Sequence, residues 1–268
     1  MSETTFEEFG LIIIESLRDN DKKTGQILHN EVIKYKKFEE PNLTSSLHVI
    51  STKKELFDLL SSLIDKARTG SYFPFIHFEV HGFSGGIELT SKELVHWQEL
   101  IPYLRTLNIY LENYLVVMMA ACEGNNINIQ IDPFDRAPFR AVIGTFRVVT
   151  WADLLKGFEA FYSSYFFELD PFTAVEQMNA AVDDKCTFGV MPSEIFFDKV
   201  LDPDRDPEFF AKMILETAIF KKLVDPAFKE IPLYEARAYF DLKIREDMER
   251  TKKNRDYFTM KDLRKKPK

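Results

Sequence analysis

A chain of 268 residues, 45% hydrophobic and 29% charged, is long enough to bury a sizeable core and too apolar for a disordered or fibrous class. Its net charge of −8 and pI near 5.3 argue against a generic nucleic-acid binder, so no nucleic-acid partner is expected. Its two cysteines, Cys122 and Cys186, are too few for a disulfide framework and fit a reducing compartment. Met1-Ser2-Glu3-Thr4-Thr5 lacks the positive region of a signal peptide, and no apolar stretch reaches the ~20 residues of a membrane span. A cytoplasmic location is therefore expected, and the 25 Phe point to a core or groove rich in aromatic surface.

Phe9-Gly10-Leu11-Ile12-Ile13-Ile14-Glu15 is a nearly unbroken, β-branched run that predicts a buried parallel strand. Asp19 to Asn42 is charged and without clear period, which reads as a surface loop with a partly helical piece. Leu47-His48-Val49-Ile50 predicts a second strand. Thr52-Lys53-Lys54-Glu55 fits a capping box, and Leu56, Leu59, Leu60, Leu63 and Ile64 follow at helical spacing until Gly70.

Phe75 to His81 is the next strand, followed by a flexible turn at Gly82-Phe83-Ser84-Gly85-Gly86 and a small hairpin arm at Ile87-Glu88-Leu89. Thr90-Ser91-Lys92-Glu93 reads as a second capping box, opening a helix through Leu94, Trp97, Leu100, Ile101 and Leu104. A further apolar run from about Tyr114 stops at Cys122. Alternating strands and helices imply right-handed crossovers and a parallel sheet.

Asn125 to Pro138 is a polar loop, Phe139 to Thr145 a strand, and Thr150-Trp151-Ala152-Asp153 the start of a helix carrying Leu154, Phe158 and Phe161. A helix from Pro171 to Val182 and a last strand from Cys186 to Met191 complete the pattern. From Asp206 onward the chain reads as amphipathic helix broken at Pro226 and Pro232, with a basic stretch after Lys243. With no repeat and no Gly/Ser linker, the expected organisation is one domain over 1–205 and a helical extension over 206–268 packed on it.

Two of these strands end in reactive side chains, His81 beside Gly82 and Cys122 near Gly124. Ligand crevices of open α/β sheets lie beyond the carboxyl ends of the strands, so the two residues are expected to face each other. A thiolate is the nucleophile, and an imidazole beside it takes the thiol proton or stabilises the ion pair. The main-chain N–H groups of Gly82 and Cys122 are the expected oxyanion donors, since glycine lets a carbonyl approach the backbone. Glu123, Asp132 and Asp135 are candidate substrate-binding residues, either lining a pocket for a basic side chain or lying on a solvated acidic loop. His77 and Glu79 share a strand face with His81 and are candidates to orient it. Neither a metal nor a cofactor is expected. Cys186 has no comparable neighbours and reads as structural.

The sequence resembles the caspase-like (clan CD) cysteine peptidases, and within them the bacterial CHAT-type branch. His77-Phe78-Glu79-Val80-His81-Gly82 is similar to that branch's strand-to-His-Gly motif, and Ala120-Ala121-Cys122-Glu123-Gly124 to its Ala-Cys-x-Gly motif. The order of Gly86 to Leu89, Trp97 to Leu100 and Ala137 to Gly144 resembles the rest of the family pattern, over roughly residues 9–200. The separation of His81 and Cys122 is also close to the ~50 residues typical of caspase-type enzymes. The resemblance implies a three-layer α/β/α sandwich with a mainly parallel central sheet, plus C-terminal helices. It further implies a Cys122–His81 endopeptidase acting on a protein or peptide substrate, under an activating protein partner, in bacterial regulated proteolysis or defence. Ala120 stands where caspases proper carry a Gln, so aspartate specificity is not implied. A catalytically silent binding module and a non-peptidase acyl hydrolase are the alternatives.

Overall fold

A computed structural model describes residues 8–36, 43–70, 72–132, 134–168, 170–182, 188–200, scattered positions between 211 and 222, 225–252 and 254–264. Its centre is a sheet built from β1 (Glu8–Ser16), β2 (Leu43–Val49), β3 (Tyr72–Phe83), β6 (Val116–Ala120), β7 (Ala141–Thr145) and β8 (Phe188–Pro192). Their order is β2-β1-β3-β6-β7-β8; every pairing is parallel except the antiparallel contact of β8 with β7. Two short strands, β4 (Gly86–Glu88) and β5 (Leu94–His96), form a small antiparallel extension on the far end of β3.

Alternation along the strands divides the interior into two halves. Ile12 and Ile14, Ile76, Phe78 and Val80, and Val117, Met119 and Ala121 pack in one cluster with α3 (Lys53–Arg68) and α4 (Trp97–Tyr110). Leu11 and Ile13, with Met118 and Ala120, pack in the other against α5 (Trp151–Glu168) and α6 (Pro171–Ala180). Successive side chains of a strand point to opposite faces, so β1, β3 and β6 each feed both clusters. The result is the expected three-layer, mainly parallel α/β/α arrangement, with the C-terminal residues Ala236, Phe240 and Phe258 buried in the α3/α4 half.

The capping box at Thr52 and Glu55 forms as the sequence predicts, and Gly70 follows the helix end at φ +80°. One local expectation is sharpened and one is corrected. Residues 24–36 are helical throughout, as α1 (Thr24–Ile27), a π-helical turn (Leu28–Ile33) and α2 (Lys34–Lys36). Their buried Leu28 and Ile33 stand five residues apart, the spacing of a π-turn, which an α-helical template does not detect. The segment after Thr90 does not start a helix, because Lys92 takes a positive φ of 68° and Leu94–His96 pairs with β4. The helix begins at Trp97, where the Glu99 carboxyl accepts from the His96 amide. Cys186 lies outside the described residues, and its strand is described from Phe188.

Candidate active site

His81 is the residue at which β3 changes partners. Up to Val80 the strand pairs with β1 in the main sheet, and from His81 it pairs with β4. The turn beyond it is anchored to α4, because Trp97 donates its indole N–H to Ser84 O at 2.8 Å and its amide to Gly85 O. On the other side β3 runs parallel to β6, with Ile76 opposite Val117 and Glu79 opposite Ala120, partners 41 residues apart. The ladder ends at Glu79 and Ala120, two residues short of His81 and of Cys122, so both lie just beyond its end.

The two backbones touch there. A Cβ on Gly82 would run into the Cys122 carbonyl oxygen and stand 2.9 Å from the Ala121 Cβ. No positive φ is involved at Gly82; the position requires a residue without a side chain.

The His81 ring is held by an acid the sequence reading did not identify. His81 Nε2 lies 2.7 Å from Asp21 Oδ2, and the Arg18 amide donates to the same oxygen at 2.8 Å. Arg18 in turn pairs with Glu88 of β4, and Lys23 Nζ donates to the carbonyls of Leu17 and Arg18, so the loop between β1 and α1 is tied down on both sides. Partial burial pushes the Asp21 carboxyl up. The His81 and Arg18 hydrogen bonds, with the charges of both residues, outweigh it and hold that carboxyl below the usual range. An ionised Asp21 only accepts, so Nε2 carries a proton, and in the neutral ring Nδ1 is the acceptor. The pair's contribution to stability is therefore present above the ordinary Asp pKa of 3.8 and is lost as pH falls below it.

Cys122 sits two residues beyond the end of β6, half-buried, in the turn that leads to a 3₁₀ helix at Gly124–Gln130. Its Sγ contacts the main chain of Val149, donating to the carbonyl and accepting from the amide, both at 3.5 Å. Val149 belongs to the loop between β7 and α5, and Glu123 N donates to Arg147 O of that loop at 2.9 Å. Among the described residues no hydrogen bond joins the His81 ring to Cys122 Sγ. The same loop exposes Phe146 (49%) and Val148 (79%), and Trp151 (54%) is exposed at the start of α5. The loop's sequence signal is the run Phe146-Arg147-Val148-Val149 just ahead of a helix start.

The remaining candidates separate. Glu123 follows Cys122 directly, in the left-handed region at φ 56°. Asp132 accepts from the Phe134 amide, and Asp135 forms an ion pair with Arg105 of α4 at 2.8 Å. Asp135 is thus turned to the α3/α4 layer, whereas Cys122 Sγ is held on the α5 side. Glu79 bonds His77 and Thr24 in the interior, so the ring of His81 is oriented by Asp21 instead.

The chain matches no protein-family model and no curated protein sequence. Among solved structures it is similar to the Drosophila initiator caspase Dronc, at 16% identity and a TM-score of 0.51, over 70% of this chain and 80% of that one. The fold is that of a caspase-like domain. No helix among the described residues is long and apolar enough to cross a membrane.

Proposed function

We propose that this chain is a cysteine endopeptidase of the caspase-like type, akin to the CHAT branch, in which Cys122 is the nucleophile and His81 the base. The observation that carries the reading is the contact of the Gly82 and Cys122 main chains just beyond the end of the β3–β6 ladder, with Asp21 holding the His81 ring through Nε2. In the reaction Cys122 Sγ adds to the scissile carbonyl carbon while its proton passes to His81. The main-chain N–H groups of Gly82 and Cys122 receive the oxyanion. The C–N bond then breaks as His81 returns the proton to the leaving amine, and a thioester remains. Water adds to that thioester, again giving a proton to His81, and the C–S bond breaks to release the acid and restore the thiol.

The thiol is bonded to Val149 rather than to His81, so engagement requires it to leave that contact. That contact favours a second reading, in which the domain is a silent protein-binding module. In the peptidase reading an activating partner or the substrate displaces the Val149 contact. Phe146, Val148 and Trp151 select an apolar substrate side chain, and Glu123 is the acidic candidate nearest the nucleophile. The proposed organisation is a peptidase domain over 1–205 with the 206–268 extension packed on it, acting in the cytoplasm in bacterial regulated proteolysis or defence.

Digestion of a peptide library by the full chain tests the reading. Cleavage enriched for one bulky apolar position, and abolished in Cys122→Ala, is the expected outcome. Cleavage that persists in Cys122→Ala would remove the nucleophile assignment, and no cleavage of any peptide would favour the binding module.

A further inference from the structure

Beneath the strand ends lies a chain of fully buried polar groups that the reaction does not use. Tyr162 of α5 lies 2.8 Å from His77 Nδ1, His77 Nε2 lies 3.0 Å from Glu79 Oε1, and Thr24 Oγ1 donates to Glu79 Oε2 at 2.7 Å. Burial, and then the charge of Glu79, raise the Tyr162 hydroxyl well above its ordinary value, so it keeps its proton and donates it to His77. Glu15, opposite Glu79 on the neighbouring strand, accepts from the Gln26 amide at 3.1 Å and its side chain at 2.8 Å. Gly25 is wedged between the two acids, since a Cβ there would stand 2.9 Å from Glu15 Oε2 and 3.1 Å from Glu79 Cγ. The first turn of α1 is therefore seated on two buried carboxyl groups.

The elements joined by this chain are those that carry the site. The loop just before α1 holds Asp21, which holds His81; the loop just before α5 holds Val149, which holds Cys122. We propose that Tyr162, His77, Glu79 and Thr24 form a positioning relay that fixes the spacing of α1 and α5 across β3, and through their leading loops the spacing of His81 and Cys122. The assignment rests on His81 and Cys122 being the reacting pair. Buried networks with every member satisfied rigidify the elements they join, and reacting groups displaced by an ångström lose large factors in rate.

Thr24→Val in the full chain removes one hydroxyl at nearly constant volume, and Thr24→Ser keeps it. Tyr162→Phe breaks the other end of the relay and carries the test should Thr24→Val fail to fold. Two quantities are read in proteins that retain their melting transition: the iodoacetamide labelling rate of Cys122, and the Hε1 signal of His81 with ¹³C-labelled histidine, assigned by His81→Gln. The relay predicts roughly tenfold slower labelling in Thr24→Val and Tyr162→Phe, a His81 signal displaced toward that of Asp21→Asn, and recovery of both in Thr24→Ser. An unmoved His81 signal and rate in folded Thr24→Val and Tyr162→Phe would overturn it, as would the same loss in Thr24→Ser. Wild-type labelling like that of an ordinary thiol defeats the peptidase reading instead, and a displaced His81 signal in Thr24→Val still upholds the relay.

Discussion

Gly82→Ala is expected to destabilise the chain by about 2–3 kcal/mol and to slow the chemistry of Cys122 by at least roughly tenfold. The added methyl would meet the Cys122 carbonyl oxygen and the Ala121 Cβ. A carbonyl in the main chain has no rotamer to escape into, so the ends of β3 and β6 must separate. That separation lies directly between His81 and Cys122, and it also moves the two proposed oxyanion donors. Thermal unfolding together with thiol labelling checks the prediction. An unchanged melting temperature with unchanged labelling would show that the two strand ends are not in contact.

Glu79→Ala is expected to cost about 3 kcal/mol or more, lowering the melting temperature by roughly 10 °C in a chain of this size. Glu79 is 1% exposed and is the shared acceptor for His77 and Thr24. Without it two buried donors lose their partner and a cavity opens between β3 and α1. Glu79→Gln retains an oxygen for Thr24, so its loss is expected to be smaller. Calorimetric melts of the two variants decide this, and equal, small losses in both would mean that the network contributes little to stability.

Much of this architecture is written locally. The runs ending at Glu15 and Cys122 are apolar on both faces because helices cover both, and that pattern identifies parallel strands; the run ending at His81 departs from it only at the buried His77 and Glu79. The contact of the Gly82 and Cys122 main chains was not legible, since it depends on which strands become neighbours. Asp21 was hidden for the same reason. It lies 60 residues from His81 in a charged loop, and only the placement of β1 beside β3 brings the two together. Asp132 and Asp135 illustrate the converse. Proximity to Cys122 in sequence suggests a pocket wall; the structure pairs Asp135 with Arg105 of α4 and has Asp132 accept from the Phe134 amide of its own loop. The exposed Phe146, Val148 and Trp151 were visible as apolar residues, yet nothing local distinguishes an exposed loop from a strand continuing into a helix.

The most direct test of the central claim is the second-order rate of iodoacetamide labelling at Cys122, resolved from Cys186 by peptide mass spectrometry and followed against pH in wild type and His81→Ala. A working pair predicts labelling that stays fast well below the ~8.5 of a free thiol in wild type and falls back to that ordinary profile in His81→Ala. Identical profiles in the two proteins, both centred near that of a free thiol, would contradict the Cys122–His81 assignment and leave the binding-module reading in its place.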